Sequence, residues 1–345
     1  MIGRELYLDR CLFLLSGQTY SFVEPVVVVQ KRNESEDTSG IEKVVARWGE
    51  CFPCIQIHTH TANFDARAKS LNVGKLRATG RYLAFLDDDD KPYPPHYQTL
   101  IKALQKTDYS WAYSDIVRAL YNEYGQLIER THPFKREGYS FLDHLRGNFM
   151  PIHSFVIDRE RAGPLEDVEE TLNRNEDYDF LLRLAFQHEP LYVPYFGAEY
   201  CIRSDGSNTV SDGTARAREA LAKRRLWNAA QDVLDSRKID HFGWWVRELD
   251  QFPMIYPRKS YGSDEPPRSE CYRKLLADYH ATRSWKMTRP LRNLVRRVRG
   301  QPLEILTIPN SEEMAQVEIH RLLTSTSWEL TAPLRIVRKL IRNAA

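Results

Sequence analysis

Hydrophobic positions along the first 117 residues alternate between two periods. Leu6, Leu8, Cys11, Leu12 and Leu15 recur at helical spacing, and Ser16-Gly17-Gln18-Thr19 ends the run, which predicts a helix over 6–15. Val23 to Val29 is dominated by valine and reads as a buried strand. A polar loop over 31–40 follows, then a helix over 41–48, a strand over 54–59, a helix over 66–78, a strand over 81–86, a helix over 95–104 and a strand over 111–118. Helices and strands that alternate this closely build βα units, so residues 1–117 are expected to form an α/β half with a mainly parallel sheet. Such a sheet ordinarily opens on a strand, whereas this pattern opens on its first helix. From residue 118 the pattern is mixed: strands over 150–157, 191–195 and 199–203, a helix over 176–187, and a long, mostly polar helix over 215–233. Gly262-Ser-Asp-Glu-Pro-Pro-Arg268 is the first stretch with the composition of a linker.

One stretch carries candidate chemistry. Arg81-Tyr82-Leu83-Ala84-Phe85-Leu86 runs directly into Asp87-Asp88-Asp89-Asp90, with Pro92, Pro94 and Pro95 just beyond. Four adjacent carboxylates repel one another unless a cation sits among them. Hard oxygen ligands suit magnesium or manganese. A solvated acidic turn is the alternative reading. Carboxylates at the C-terminal end of a strand in an α/β sheet stand where such folds bind ligands.

The approach to that stretch is Asn72-x-Gly74, then Ala78-x-Gly80. Together with the aspartate run it resembles the inverting nucleotide-sugar glycosyltransferases of family 2, which have the GT-A fold. Three further segments match in order: Gln18-Thr19-Tyr20 before the valine strand; Asn175-Glu176-Asp177-Tyr178-Asp179 leading a helix; and Tyr200-Cys201-Ile202-Arg203 with Ser204, Ser207 and Asn208. The resemblance covers roughly residues 4–210. It implies a GT-A α/β fold with a mixed, mainly parallel sheet and flanking helices, lacking an obvious first strand and followed by a helical C-terminal extension. It also implies a metal-dependent enzyme, with Asp89 and Asp87 as metal ligands and Asp177 as the base that takes the acceptor proton, beside Glu176. Asn72, Lys69, Asp87, Asp88 and Arg203 are implied at the donor. The carboxylates of Glu176 and Asp177 also compensate a helix dipole, the alternative to catalysis. Asp90 contacts the donor sugar or caps the next turn. Lys75 reads as a solvated lysine and His153 as structural. The chain departs from the family at the nucleoside end. The first strand, with its Pro and Asn, has no counterpart, and Gln30-Lys31-Arg32-Asn33-Glu34-Ser35 stands where the family carries an Asp pair with Gly-Ser.

Composition narrows the class. Of 345 residues, 42% are hydrophobic and 28% charged, the balance of a water-soluble globular protein. The formal charge of +2 is unevenly distributed: residues 268–345 carry a net +8, so residues 1–267 carry −6. No apolar run approaches the ~20 residues of a spanning helix, and the first residues lack a signal-peptide pattern. Five scattered cysteines point to reduced thiols and a cytoplasmic setting. Cys51-Phe-Pro-Cys54 with His58 and His60 lacks the second pair that a structural zinc site wants.

The basic tail repeats itself. Trp285, Thr288, Pro290, Leu291 and Arg292 recur as Trp328, Thr331, Pro333, Leu334 and Arg335. In the first copy, Arg289, Arg292, Arg296 and Arg299 share one helical face and Leu291, Leu294, Val295 and Val298 another. Such a helix suits an anionic membrane surface, or packs on the catalytic domain with its arginines solvated. Nucleic acid is not expected, because no stacking aromatics accompany the charge. The expected organisation is a glycosyltransferase domain over 1–212, a helical extension and linker over 213–267 and the basic tail over 268–345. The expected function is sugar transfer from a nucleotide-sugar donor to a glycan or lipid-linked acceptor in surface-polysaccharide synthesis, in the cytoplasm or peripherally on the inner face of the membrane. Two rival readings stand beside it: a catalytically impaired glycan- or nucleotide-binding relative, and a membrane-surface scaffold acting through the tail.

Overall fold

The structure, a computed structural model, describes residues 4–122, 126–203 and 217–256 and, beyond these, 276–277, 280–281, 283–298, 300, 302–303, 307–309, 312–323 and 325. It divides into two compact units, Met1–Pro266 and Pro267–Ala345.

In the first unit the elements run α1 (Glu5–Ser16), β1 (Val26–Lys31), α2 (Ser39–Trp48), β2 (Gln56–Thr61), α3 (Arg67–Arg77), β3 (Tyr82–Leu83), β4 (Lys91–Pro92), α4 (His96–Gln105), β5 (Trp111–Tyr121) and β6 (Leu127–Thr131). They continue with α5 (Phe141–Arg146), β7 (Phe155–Asp158), α6 (Arg159–Ala162), α7 (Glu176–Gln187), β8 (Leu191–Arg203) and α8 (Ala217–Phe242). The α/β architecture is the expected one, and the described part opens on a helix. Strands β1 and β2 pair in parallel as a two-stranded sheet, with Val28 opposite His58. The other six form a mixed sheet in the order β3-β7-β5-β8-β4, with β6 beside β5. Only β5 and β8 are parallel there, so antiparallel pairing has a larger share than a mainly parallel sheet implies.

Two departures from the hydrophobic pattern place the site. The strand expected over 81–86 forms ladder pairs only at Tyr82 and Leu83, against Asp158 and Ile157. Beyond them Phe85 is held by side-chain packing instead: its ring meets Phe155 edge-on at 6.1 Å and Phe180 of α7 at 6.2 Å. The strands expected over 191–195 and 199–203 are one strand with a register shift opposite Ser114–Ile116. Pro194 lacks the N–H a regular ladder needs, and Gly197 lies so close to His96 and Ser114 that an added Cβ would fall 2.1 Å from the His96 ring. The bulge lets β8 run on to Arg203.

The core lies on both faces of β5. One layer gathers Leu83, Phe85, Trp111, Phe149, Met150, Phe155, Ile157, Phe180 and Leu181; the other gathers Tyr97, Leu100, Ile101, Leu104, Ala112 and Val156. A third cluster ties α8 to the body through Leu234 and Phe242 against Leu145, Tyr178 and Leu182.

In the second unit, α9 (Arg283–Val298) and α10 (Glu312–Leu323) are helical. The Arg292 guanidinium lies over the buried Trp285 ring at 3.6 Å and donates to the Trp285 carbonyl at 3.0 Å. Arg289 is exposed. Arg299 and, apart from Ser325, the second copy of the repeat lie outside the described residues. Among the described residues no helix is long and apolar enough to cross a membrane.

Candidate active site

Residues Ala84–Asp90 connect β3 and β4, which lie at opposite ends of the sheet order, so the acidic stretch passes over the strands between them. Its far end is pinned. Lys91 pairs with Glu199 and Pro92 with Ala198. Asp90 is buried, neither capping a turn nor open to a donor. One of its oxygens accepts the Cys201 N–H at 2.8 Å and the other lies 2.8 Å from His153 Nδ1. His153 is fully buried and stacks on Tyr200, and its pKa is raised: burial opposes the charge, but Asp90, Asp87 and Asp89 outweigh it. Beneath the stretch, buried Glu199 accepts from Tyr93 Oη at 2.9 Å, Tyr121 Oη at 2.6 Å and Arg130 Nη2 at 2.8 Å.

Asp87, Asp89 and Asp90 each bring a carboxylate oxygen within 4.8 Å of the others; among the described residues this is the one such acidic, Cys or His cluster. Burial, then Asp90 and Asp89, push Asp87 up to about 7. Burial, then Asp90 and Asp88, raise Asp89. Carboxylates this crowded favour a divalent cation or a proton. The donor set therefore fits a hard metal ion, with Asp90 already held by Cys201 and His153 and Asp89 facing Arg4 at 3.3 Å. Asp88 is held by Arg4, whose Nε donates to it at 2.7 Å and whose Nη2 donates to its second oxygen. Arg203, at the end of β8, places Nη1 3.8 Å from Asp89 Oδ2.

The second acid pair opens α7. Asn175 precedes it with φ 63°, the only positive φ outside glycine among the described residues, a conformation asparagine tolerates. Asp177 Oδ1 accepts the Tyr178 N–H at 2.8 Å, the pattern of an acid at a helix start. Burial and then Asp177 push Glu176 up to about 7, and burial raises Asp177 as well. The pair is thus both helix-stabilising and shifted toward the range where a carboxylate accepts protons near neutrality.

Two residues to which the sequence assigned no role join these acids. Arg67, the first residue of α3, lies 3.6 Å from Glu176 and 3.5 Å from Asp65. Burial works against its charge, yet Glu176, Asp65, Asp87 and Asp177 together raise its pKa. It is a cation common to both acid clusters. Tyr200 is the second: its hydroxyl pKa is raised by burial and then by Asp90, Asp87, Asp177 and Asp89. Asp177 and the acidic stretch therefore share one neighbourhood.

The α3 residues face elsewhere. The Asn72 side chain donates to the Val168 carbonyl at 2.9 Å and to Glu170 at 3.1 Å and accepts the Val168 N–H at 2.8 Å, clamping the loop before α7. Lys75 is buried rather than solvated, because Asp167 and the Glu166 carbonyl receive its ammonium at 2.7 and 2.5 Å. Lys69 is half-buried near His60, whose pKa burial and then Lys69 lower. Cys51 and Cys54 are exposed, and His58 and His60 bond to Gln56 and Ser70.

The chain is similar to known glycosyltransferases. Residues 2–160 match the family model described as glycosyl transferase family 2. The chain is 28% identical over 226 residues to an "uncharacterized glycosyltransferase" of Haemophilus influenzae, covering 64% of this chain and 71% of that protein. It is 31% identical over 98 residues to the "uncharacterized glycosyltransferase YibD" of Escherichia coli, covering 28% of this chain and 26% of that one. Among solved structures it is similar to S. aureus TarS 1-349 in complex with UDP-GlcNAc, with TM-score 0.46, 13% identity and coverage of 94% and 87% of the two chains.

Proposed function

We propose that this glycosyltransferase, whose residues 2–160 match glycosyl transferase family 2, moves a sugar from a nucleotide-sugar donor to a glycan or lipid-linked acceptor, with inversion and with a divalent metal. The carrying observation is that Arg67 lies 3.6 Å from Glu176 within the field of Asp87 and Asp177, and that Tyr200 feels both Asp177 and the acidic stretch. Asp89 and Asp87 are the residues that would hold magnesium or manganese. Bound there, the ion supplies positive charge against which a leaving diphosphate becomes a better anion.

Asp177 takes the proton of the acceptor hydroxyl. Its raised pKa keeps it basic enough for that transfer; Glu176 is raised beside it, and Arg67 draws both acids back down. Arg203 meets the donor diphosphate beside Asp89, with Asp88 on the donor side and Asn72 holding the loop that precedes α7. A position on the inner face of the membrane is supported by the basic tail, whose net +8 favours an anionic surface, and a lipid-linked acceptor there would place the enzyme in surface-polysaccharide synthesis.

The test is release of nucleoside diphosphate with manganese present, screened over common nucleotide sugars with full-length protein. Turnover with one donor, abolished by chelation, is expected. Donor binding without turnover on any acceptor would instead indicate the binding-module reading. Flotation with anionic vesicles, with and without residues 268–345, tests the tail; equal flotation of the two chains refutes its role.

A further inference from the structure

The first helix supplies something the acidic stretch does not itself contain. Arg4, immediately before α1, donates to Asp88 through both Nε and Nη2, and its Nη2 lies 3.3 Å from Asp89 Oδ2. Arg203, almost two hundred residues later, approaches that same Asp89 oxygen at 3.8 Å. Both guanidinium groups also lie over one ring: Tyr7 is 4.7 Å from the Arg4 guanidinium carbon and 4.1 Å from that of Arg203. Two cations thus converge on one aromatic face system and one carboxylate oxygen at the edge of the candidate metal site.

This convergence has a physical meaning. Stacking on an aromatic ring uses the face of a guanidinium and leaves its N–H edge free for in-plane acceptors. Two such forks side by side repel each other unless anions lie between them. Asp88 and Asp89 are those anions in this structure, but a divalent ion drawing on Asp89 would repel both arginines and weaken their hold on its oxygen. A diphosphate is the anion whose paired oxygens match two planar forks. The arm is also fixed in place. Gln18, just beyond α1, donates to the Tyr93 carbonyl at 3.0 Å, and the Thr19 N–H to the Pro94 carbonyl at 2.8 Å, so the helix is tied to the chain following the acidic stretch. On its other side, Asp9 accepts from Trp48 Nε1 at 2.8 Å and from Arg47 at 2.9 Å.

We propose that Arg4, carried on Tyr7 and working beside Arg203, is a diphosphate-binding arm that exchanges its Asp88 and Asp89 partners for donor phosphate oxygens when the metal ion enters. The inference rests on the reading of Asp87 and Asp89 as the metal site. It assigns the residues that open the first helix a donor-binding task.

The test uses full-length protein, manganese alone, and pyrophosphate with saturating manganese, so that no nucleoside or sugar need be known. Free manganese is read by electron paramagnetic resonance and pyrophosphate by equilibrium dialysis. Arg4→Gln is expected to bind manganese more tightly, because a competing cation is gone, and pyrophosphate at least about tenfold more weakly. Arg4→Lys should fall between, and Tyr7→Leu should weaken pyrophosphate with manganese affinity retained. The opposite signs separate an anion arm from a merely structural ion pair, which would leave pyrophosphate unchanged. Pyrophosphate affinity within twofold of wild type in Arg4→Gln, or a loss of manganese affinity in that variant, overturns the proposal. Asp89→Asn is the control for the underlying reading: loss of manganese there with unchanged pyrophosphate binding in Arg4→Gln sinks the arm alone, whereas unchanged manganese binding in Asp89→Asn sinks the metal site and the arm with it.

Discussion

The two sheets of the catalytic unit are built to different depths. In the six-stranded sheet, β5 is buried at nine of its eleven residues, and the buried acids beside it are met by neighbouring groups: Asp90 by Cys201 and His153, Glu199 by Tyr93, Tyr121 and Arg130. In the two-stranded sheet only Val29 of β1 is buried and no residue of β2 is. Its side chains hold one another near the surface, as His58 holds Gln56 and His60 holds Ser70. The acids proposed for sugar transfer, Asp87, Asp89 and Asp177, lie against the deep sheet and α7, and Gln30-Lys31-Arg32-Asn33-Glu34-Ser35, which departs from the family pattern, begins on the shallow one. A deep sheet can fix carboxylates against their own repulsion, because buried partners resist displacement. A shallow one can change sequence at little cost in packing.

The largest expected effect tests the deep side. Asp177→Asn should lower turnover by about a thousandfold or more, within the range general-base catalysis contributes, while manganese-dependent donor binding persists. Retained turnover would move the base elsewhere. Next comes the anchoring of the acidic stretch. Asp90→Ala leaves the Cys201 N–H and His153 without their buried partner. It should destabilise the unit by about 3 kcal/mol or more, read as a lowered midpoint in thermal or urea unfolding. A loss below 1 kcal/mol would show that the stretch is held by something other than this pair.

How much of this was legible in the chain follows the same division. Elements set by local periodicity, such as α1, α4, β5 and α7, read directly from Leu, Ile and Val spacing. The acidic stretch and Glu176–Asp177 read from motif order. What escaped was long-range. Asp90 has its partners at positions 153 and 201, and nothing in four identical aspartates distinguishes the one that faces inward. Arg67 lies upstream of the Asn72-x-Gly74 pattern and gains its meaning from Glu176, more than a hundred residues away. Arg4 lacked any local signal for the same reason. The short β3 also misled, because Ala84-Phe85-Leu86 has strand composition but is held by Phe155 and Phe180 rather than by a ladder.

Protons and metal ions should compete at the acidic stretch. Asp87 is raised from the ordinary carboxylate value of 3.8 to about 7. Without metal, a raised carboxylate stabilises the folded state below its unfolded pKa, and that contribution is lost as pH climbs toward 7. A divalent ion replaces the proton, so its binding should weaken as pH falls. One group with a pKa near 7 predicts manganese affinity roughly twentyfold lower at pH 5.5 than at 7.5. The manganese-induced rise in melting temperature should shrink accordingly. The buried histidines His96 and His144, both lowered to about 3 by burial, titrate with and without metal alike and cancel from this difference. Affinity independent of pH across that interval would mean that Asp87 is not part of the metal site.

The smallest expected effect asks what the shallow sheet is for. Gln30, near the end of β1, donates to the carbonyls of Ala62 and Phe64 and accepts the Ala66 N–H at 3.1 Å. The next residue is Arg67, the cation between Asp87 and Glu176. The shallow sheet therefore positions a charge on which the deep sheet's acids depend. Gln30→Ala removes a half-buried polar side chain and should cost only about 1 kcal/mol of stability. Its effect on chemistry should be specific. Arg67 lowers the Glu176 pKa against burial and Asp177, so a looser Arg67 lets Glu176 hold its proton to higher pH. The acidic limb of the turnover–pH profile should then move upward, with turnover at pH 8 reduced less than tenfold. An unmoved limb in a protein of unchanged melting temperature would uncouple the two sheets. A stability loss as large as that of Asp90→Ala would show that β1 and β2 are as deeply anchored as the sheet beside them.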